Sequence, residues 1–252
     1  MKEKMSNWKL QPVNRGNTIL TFFLFLMLAS PAFGQCSSRV WESTTYPQGP
    51  AKFQSLLPAG MTERFSVNLF GNDWLVVYAR PGVHTSQDPQ DGGFLLVRDH
   101  RVLVSQSLMQ VPAWKKFARD IGPENLPAFN VFAAQVCHGH GRIVVLGFAA
   151  CCSTASAVLY MIAEPNGDNY RLTTLPMVGG GKLEIAASDP VRLSLWDELG
   201  DGACDGCLQH FNISEYKMED GAPVLIRKQR ASTKHKPGDF DAHRIVLVPA
   251  SQ

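Results

Sequence analysis

The sequence predicts an all-β fold, and three observations carry that prediction. From Phe65 onward, short runs rich in β-branched and aromatic residues recur between clusters of Gly, Pro, Asn and Asp. The connectors are short and hold residues that accept positive φ: Asn72, His138-Gly139-His140-Gly141, Pro165-Asn166-Gly167-Asp168, Gly179-Gly180-Gly181 and Glu219-Asp220-Gly221. Strands joined by such turns are antiparallel neighbours, because a parallel crossover needs roughly a dozen residues or more. The sheets are therefore expected to be antiparallel meanders.

Taken in order, residues 1–34 have the layout of a secretory signal peptide. Lys2, Lys4, Lys9 and Arg15 face one acid, Glu3; an apolar run from Ile19 to Ala29 follows; and Ser30-Pro31-Ala32-Phe33-Gly34 supplies small residues for cleavage. The apolar run is shorter than the roughly 18–20 residues needed to span hydrocarbon. Cys36 lies where bacterial lipoproteins carry their modified cysteine, but Gln35 before it departs from that pattern. The mature chain is expected to begin at Gln35, in a periplasmic or secreted location, with no transmembrane segment after cleavage. Residues 35–60, with Pro47, Gly49, Pro50, Pro58 and Gly60, are expected to form an extended N-terminal arm, and 61–252 a single all-β domain.

Within that domain, strands are predicted near 65–70, 73–79, 93–98, 101–107, 129–137, 142–150, 156–163, 169–175, 182–187, 191–196, 208–217, 222–229 and 244–248. One short helix near 112–121 interrupts them. Trp114, Phe117, Ala118 and Ile121 fall at i, i+3, i+4 and i+7, Pro112 suits a first helical position, and Gly122-Pro123 supplies a stop. Such a stripe is the ordinary way to cover a sheet face, so this is read as a packing helix.

Charge narrows the partners. The full chain carries 24 Lys and Arg against 22 Asp and Glu; taking away residues 1–34 removes four basic residues and one acidic one, which leaves a formal charge of −1. The basic excess belongs to the leader, and nothing electrostatic points to nucleic acid or anionic lipid.

All six cysteines, at 36, 137, 151, 152, 204 and 207, follow the leader, and an even count in an exported chain favours disulfides. If strands 129–137 and 142–150 pair across the 138–141 turn, Cys137 lies about 30 Å along the hairpin from Cys151, too far for a bond within it. The preferred pairing is Cys36 with Cys151 or Cys152, together with a Cys204–Cys207 staple.

The densest cluster of reactive groups runs from Asp197 through Asp201, Cys204, Asp205 and Cys207 to His210. Cys204, Cys207 and His210, with His138, His140 or Cys137 supplied through the fold, offer a zinc or copper site, because those metals accept thiolate and imidazole. Calcium is disfavoured, since Asp197, Asp201 and Asp205 are four apart while acidic calcium loops alternate ligands every second residue. Leu208 stands where a c-type haem attachment needs His. A redox Cys-x-x-Cys sits at a helix N-terminus, whereas this pair precedes a strand-like run. Asn212-Ile213-Ser214 matches a glycosylation sequon in a predicted strand.

Enzyme signatures are absent. Gly179-Gly180-Gly181-Lys182 is not followed by Ser or Thr and lies between strands; no G-x-S-x-G elbow or H-E-x-x-H pair occurs. A hydrolase assembled from distant residues would have to use His84, His100 or His243.

The stretch Lys182 to Arg230, KLEIAASDPVRLSLWDELGDGACDGCLQHFNISEYKMEDGAPVLIRKQR, resembles one strand, acidic loop, strand and hairpin module of exported bacterial β-propeller-like proteins, and is distantly similar to the FG-GAP repeats of integrin-type propellers. The resemblance implies a non-catalytic binding scaffold. Trp196-Asp197 does not recur at the roughly 40–45-residue period of WD40 blades. The expected architecture is propeller-like, or a barrel or sandwich. The expected function is an exported, non-catalytic binding protein without a cofactor, its partner a protein or cell-envelope material and its recognition loops 80–92 and 197–207. A periplasmic zinc- or copper-binding protein and an unrecognised hydrolase are the alternatives.

Overall fold

A computed structural model describes residues 36–43, 51–80, 92–121, 129–138, 141–150, 157–179, 181–199, 208–235 and 245–249. The chain divides into two units, Met1–Cys36 and Ser37–Gln252. Of the first, only Cys36 is described.

Fourteen strands are described: β1 (Arg39–Ser43), β2 (Thr62–Asn68), β3 (Asp73–Ala79), β4 (Gly92–Arg98), β5 (Arg101–Ser107), β6 (Phe129–His138), β7 (Gly141–Ala150), β8 (Ala157–Asn166), β9 (Asn169–Thr174), β10 (Leu183–Ala186), β11 (Arg192–Glu198), β12 (Phe211–Glu219), β13 (Ala222–Arg230) and β14 (Ile245–Val248). They form three sheets, in the orders β2-β3-β4-β5, β1-β6-β7-β8-β9 and β13-β12-β11-β10-β14. Each is built on an antiparallel meander, as the short turns predict. Among the described strands, β14 is the one parallel partner, lying beside β10 with Leu183 opposite Ile245.

Alternation explains how the sheets stack. In β6, β7 and β8, Val131, Ala133, Val144, Leu146, Phe148, Leu159 and Met161 pack with Leu75, Val77, Phe94 and Leu96 of the β2–β5 sheet. The intervening residues Phe132, Ala134, Ile143, Val145, Val158, Tyr160 and Ile162 pack with Leu183, Ile185, Leu193 and Tyr216 of the β10–β14 sheet. The β6–β8 sheet therefore has both faces buried, which is why its strands read as nearly unbroken apolar runs. Gly147 makes room on the second face: a Cβ there would stand 3.0 Å from the Tyr160 ring.

The helix α1 (Pro112–Ile121) adds to the first core. Trp114 and Ala118 are buried within it and Phe117 packs at its margin, as the stripe predicts.

The propeller-like expectation is corrected. None of the three sheets closes on itself or curls, and the arrangement differs from that of propeller blades. The cause lies in β6–β8, whose two apolar faces each need a cover, and a sheet on either side provides it. The module-like segment 182–230 forms β10 to β13 of one open sheet that β14 completes in parallel.

The described residues of the 35–60 segment, 36–43 and 51–60, pack against this frame. β1 pairs with β6, with Arg39 opposite Gln135. Gln135 Nε2 donates to the Ser37 carbonyl at 2.6 Å, and the Cys137 N–H donates to Ser38 Oγ at 3.0 Å. Cys36 is disulfide-bonded, as expected, but to Cys137. This corrects the preference for Cys151 or Cys152. The register of β1 on β6 brings the chain just before Arg39 alongside the Cys137 end of β6, a proximity that spacing alone does not reveal.

β13 is an outer strand whose Val224, Leu225 and Ile226 are exposed. Arg227, Lys228 and Arg230 share it, the charged pattern with which natural sheets discourage edge pairing. Arg227 makes a bidentate pair with Glu215 of β12. Among the described residues, no helix is long and apolar enough to cross a membrane.

Candidate ligand-binding groove

Alternation along β3 divides its residues between two environments. Asp73, Leu75, Val77 and Ala79 face the middle sheet, whereas Trp74, Val76 and Tyr78 face outward, where Phe53, Leu56 and Leu57 cover them. The covering segment is clipped to β2: Gln54 Nε2 donates to the Met61 carbonyl at 2.8 Å, and the Phe53 N–H donates to Glu63 Oε2 at 2.7 Å. Phe53 is buried in consequence, and Trp74 is left half-buried at the end of the cover.

Around Trp74 lies a groove of about 490 Å³. Phe53 and Lys52 line one side. Asn68, at the end of β2, Gly71 and Asn72, from the turn between β2 and β3, and Asp99 and His100, from the turn between β4 and β5, line the rest. The two turns are joined by a hydrogen bond from Asn72 Nδ2 to Asp99 Oδ1 at 3.0 Å. Asn68 Nδ2 donates to the Gly71 carbonyl at 3.0 Å, holding the first turn closed.

The aromatic part is a tilted set. Phe53 and Trp74 have ring centroids 5.4 Å apart, and Phe53 and His100 5.9 Å. The Lys52 ammonium stands over the Trp74 ring, 3.5 Å from its centroid and 5.4 Å from that of Phe53.

The β4–β5 turn is strained. Asp99 and His100 have φ of 47° and 62°, a left-handed pair that hairpins usually assign to Asn-Gly. A non-glycine residue in that region costs roughly 1–2 kcal/mol. Such strain persists where the surroundings over-determine it, and it concentrates at functional positions. His100→Gly is therefore expected to leave the melting temperature unchanged or raise it by roughly 1–3 °C, while removing an aromatic ring from the groove. Thermal unfolding followed by circular dichroism checks this; a fall of more than about 3 °C would show that the His100 ring supports the fold and that the turn stores no strain.

The groove rests on a buried polar anchor. Asp73 precedes Trp74 and Arg98 precedes Asp99. Arg98 Nε donates to Asp73 Oδ1 at 2.6 Å and its Nη2 to Oδ2 at 3.0 Å, while the Tyr170 hydroxyl of β9 donates to Oδ2 at 2.5 Å. Burial pushes the Asp73 carboxyl up, but the hydrogen bonds from Arg98 and Tyr170 and the charges of Arg98 and Arg142 outweigh it and hold the group below the usual aspartate range. Burial and the Asp73 charge push the Tyr170 phenol well above its ordinary value, so it remains a donor. This network joins the outer sheet to the middle one immediately behind both groove turns.

The other expected site residues fare differently. Cys204, Cys207, Cys151, Cys152, Asp201, Asp205, His84, His140 and His243 lie outside the described residues, as do most of loops 80–92 and 197–207. His210 Nδ1 is 2.9 Å from Arg230 Nη2; the guanidinium only donates, so this nitrogen accepts. Asp197 Oδ1 accepts the Gly179 N–H at 3.0 Å, and burial raises its pKa. It braces the chain at Gly179, and Gly181 has φ of 114° and leaves no space for a Cβ against the Trp196 carbonyl, 2.4 Å away. Among the described residues, no three of His, Cys, Asp and Glu gather as a metal set, and the Cys204 and Cys207 expected beside His210 lie outside them. His100, named as a hydrolase candidate, contacts the Phe53 ring and lines the Trp74 groove.

Lys52, Trp74, Asn72 and Asp99 were not singled out as site residues by the sequence. Trp74 opens a predicted strand and reads as core, while Asn72 reads as turn chemistry. The usable signal was Asp99-His100, where a two-residue hairpin turn lacks glycine.

No family model, curated protein or solved structure matches the chain.

Proposed function

We propose that this is an exported, non-catalytic binding protein whose binding surface is the Trp74 groove. The observation that carries the reading is the half-buried indole set between two hairpin turns with Asn72, Asp99 and His100 at its rim. Pockets of a few hundred Å³ with an aromatic wall and a few convergent polar groups are where proteins bind small or extended ligands. A binding site of this kind needs a rigid support, and the Asp73 anchor behind it supplies one. Export is supported by the leader-like residues 1–34 and by the Cys36–Cys137 disulfide, since structural disulfides persist in oxidising compartments.

The test is equilibrium dialysis of the exported protein against the soluble small-molecule fraction of a cell-envelope extract, comparing wild type with Trp74→Ala. A central aromatic anchor contributes about 2 kcal/mol or more, so a loss of roughly thirtyfold in apparent affinity is expected, with the near-ultraviolet dichroism of the other tryptophans unchanged. Equal retention of solute by both proteins would remove the groove as the binding surface.

A further inference from the structure

We infer that the ligand of this groove carries a quaternary or methylated ammonium group and is a small soluble molecule. The inference rests on the reading of the groove as a binding site and adds the chemistry of what enters it. Its basis is that an ammonium already occupies the groove. Lys52 places its charge over the Trp74 ring at 3.5 Å, with Phe53 as a second face at 5.4 Å. Aromatic faces carry a negative quadrupole, and indole attracts cations most strongly of the aromatic side chains.

Three further features favour a cation. The Asp99 carboxylate lines the same groove and is held in place by Asn72. The left-handed Asp99-His100 turn presents that carboxylate and a third ring toward the same space. A volume of about 490 Å³ suits a small molecule and falls within the usual range for such pockets. Lys52 is itself exposed, so its long side chain leaves the ring at little cost when a better cation arrives. A methylated ammonium is that better cation, because it is less tightly hydrated than the Lys52 head group and sheds its water more readily on meeting the rings. Lys52 thus acts as a built-in competitor, and removing it both uncovers the ring and takes away a like charge.

The experiment is nuclear magnetic resonance of the whole exported protein, following the Trp74 indole N–H during titration with choline and with its neutral isostere 3,3-dimethylbutanol. Wild type, Lys52→Gln and Trp74→Phe are compared. Saturable choline shifts of the Trp74 signal are expected, about fivefold tighter in Lys52→Gln and at least tenfold weaker for the neutral isostere. Equal response to choline and the isostere would overturn the cation assignment and leave the groove standing as a site for neutral ligands. Choline shifts elsewhere in the protein that persist in Trp74→Phe would overturn the assignment of the site. Retention on phosphocholine vesicles without any response to free choline would replace the small molecule by a lipid surface. Silence of the Trp74 signal toward both probes in Lys52→Gln would overturn the ammonium inference alone, since the dialysis comparison with Trp74→Ala tests the groove independently.

Discussion

Asp73→Asn is expected to destabilise the protein by about 3 kcal/mol, toward the lower end of the range for breaking a buried pair, because Arg98 keeps 29 % of its side chain exposed. The substitution preserves shape and removes the charge that Arg98 and Tyr170 are arranged to meet. In a chain of this length that corresponds to a melting temperature lower by roughly 6–12 °C. The effect has a pH signature. A carboxyl whose pKa is depressed by folding contributes stability that is fully present above its unfolded value, about 4, and is lost as pH falls through the folded value. The gap between wild type and Asp73→Asn is therefore expected to be full at neutral pH and to narrow below about pH 4. Denaturant unfolding of both proteins at a series of pH values checks this; a gap that stays constant down to pH 2 would show that the Asp73 charge is not what the network uses. Because Asp73 adjoins Trp74 and Arg98 adjoins Asp99, the same variant is expected to loosen both walls of the groove.

Cys137→Ser is expected to cost a similar or larger amount. The Cys36–Cys137 bond closes a loop of about 100 residues, and the loss of its restraint on the unfolded chain is worth roughly 4 kcal/mol, within the 2–5 kcal/mol typical of native disulfides. Cys36→Ser should match the variant, with both melting some 8–16 °C below the wild-type protein. Hydrogen exchange should show the loss first in β1, which is short and pairs with β6 beside the bond. Either variant melting with the wild type would mean that the two cysteines are not bonded in the folded protein.

The fold was largely legible because local signals agreed with one another. Asp220 and Gly221, at φ of 48° and 74°, sit in the tight β12–β13 turn that their residue types predict. Trp114 and Ala118 are buried on the face that their spacing predicts. β1 was not legible: Arg39-Val40-Trp41-Glu42-Ser43 is brief, lies among Pro and Gly, and is a strand because β6 offers an unpaired edge, which is a long-range fact. The stacking of the sheets was equally hidden. Apolar runs in β6 to β8 signal burial on both faces, but which sheets provide the covers is set by tertiary packing. The groove escaped for the same reason. Its residues come from positions 52, 74 and 99–100, and no local pattern connects a lysine in a proline-rich segment with a tryptophan in a strand and a turn beyond it. The reactive-looking segment from Asp197 to His210 drew attention through composition, yet its described members are engaged in bracing: Asp197 holds Gly179 and His210 meets Arg230.

The central claim is that ligand binding takes place at the Trp74 groove, and a chemical-shift map of the whole protein titrated with choline tests it most directly. The account predicts that the largest perturbations fall on Lys52, Asn72, Trp74, Asp99 and His100, with little change across β10 to β13. Perturbations centred on the 197–210 segment, with the Trp74 indole unmoved, would contradict it.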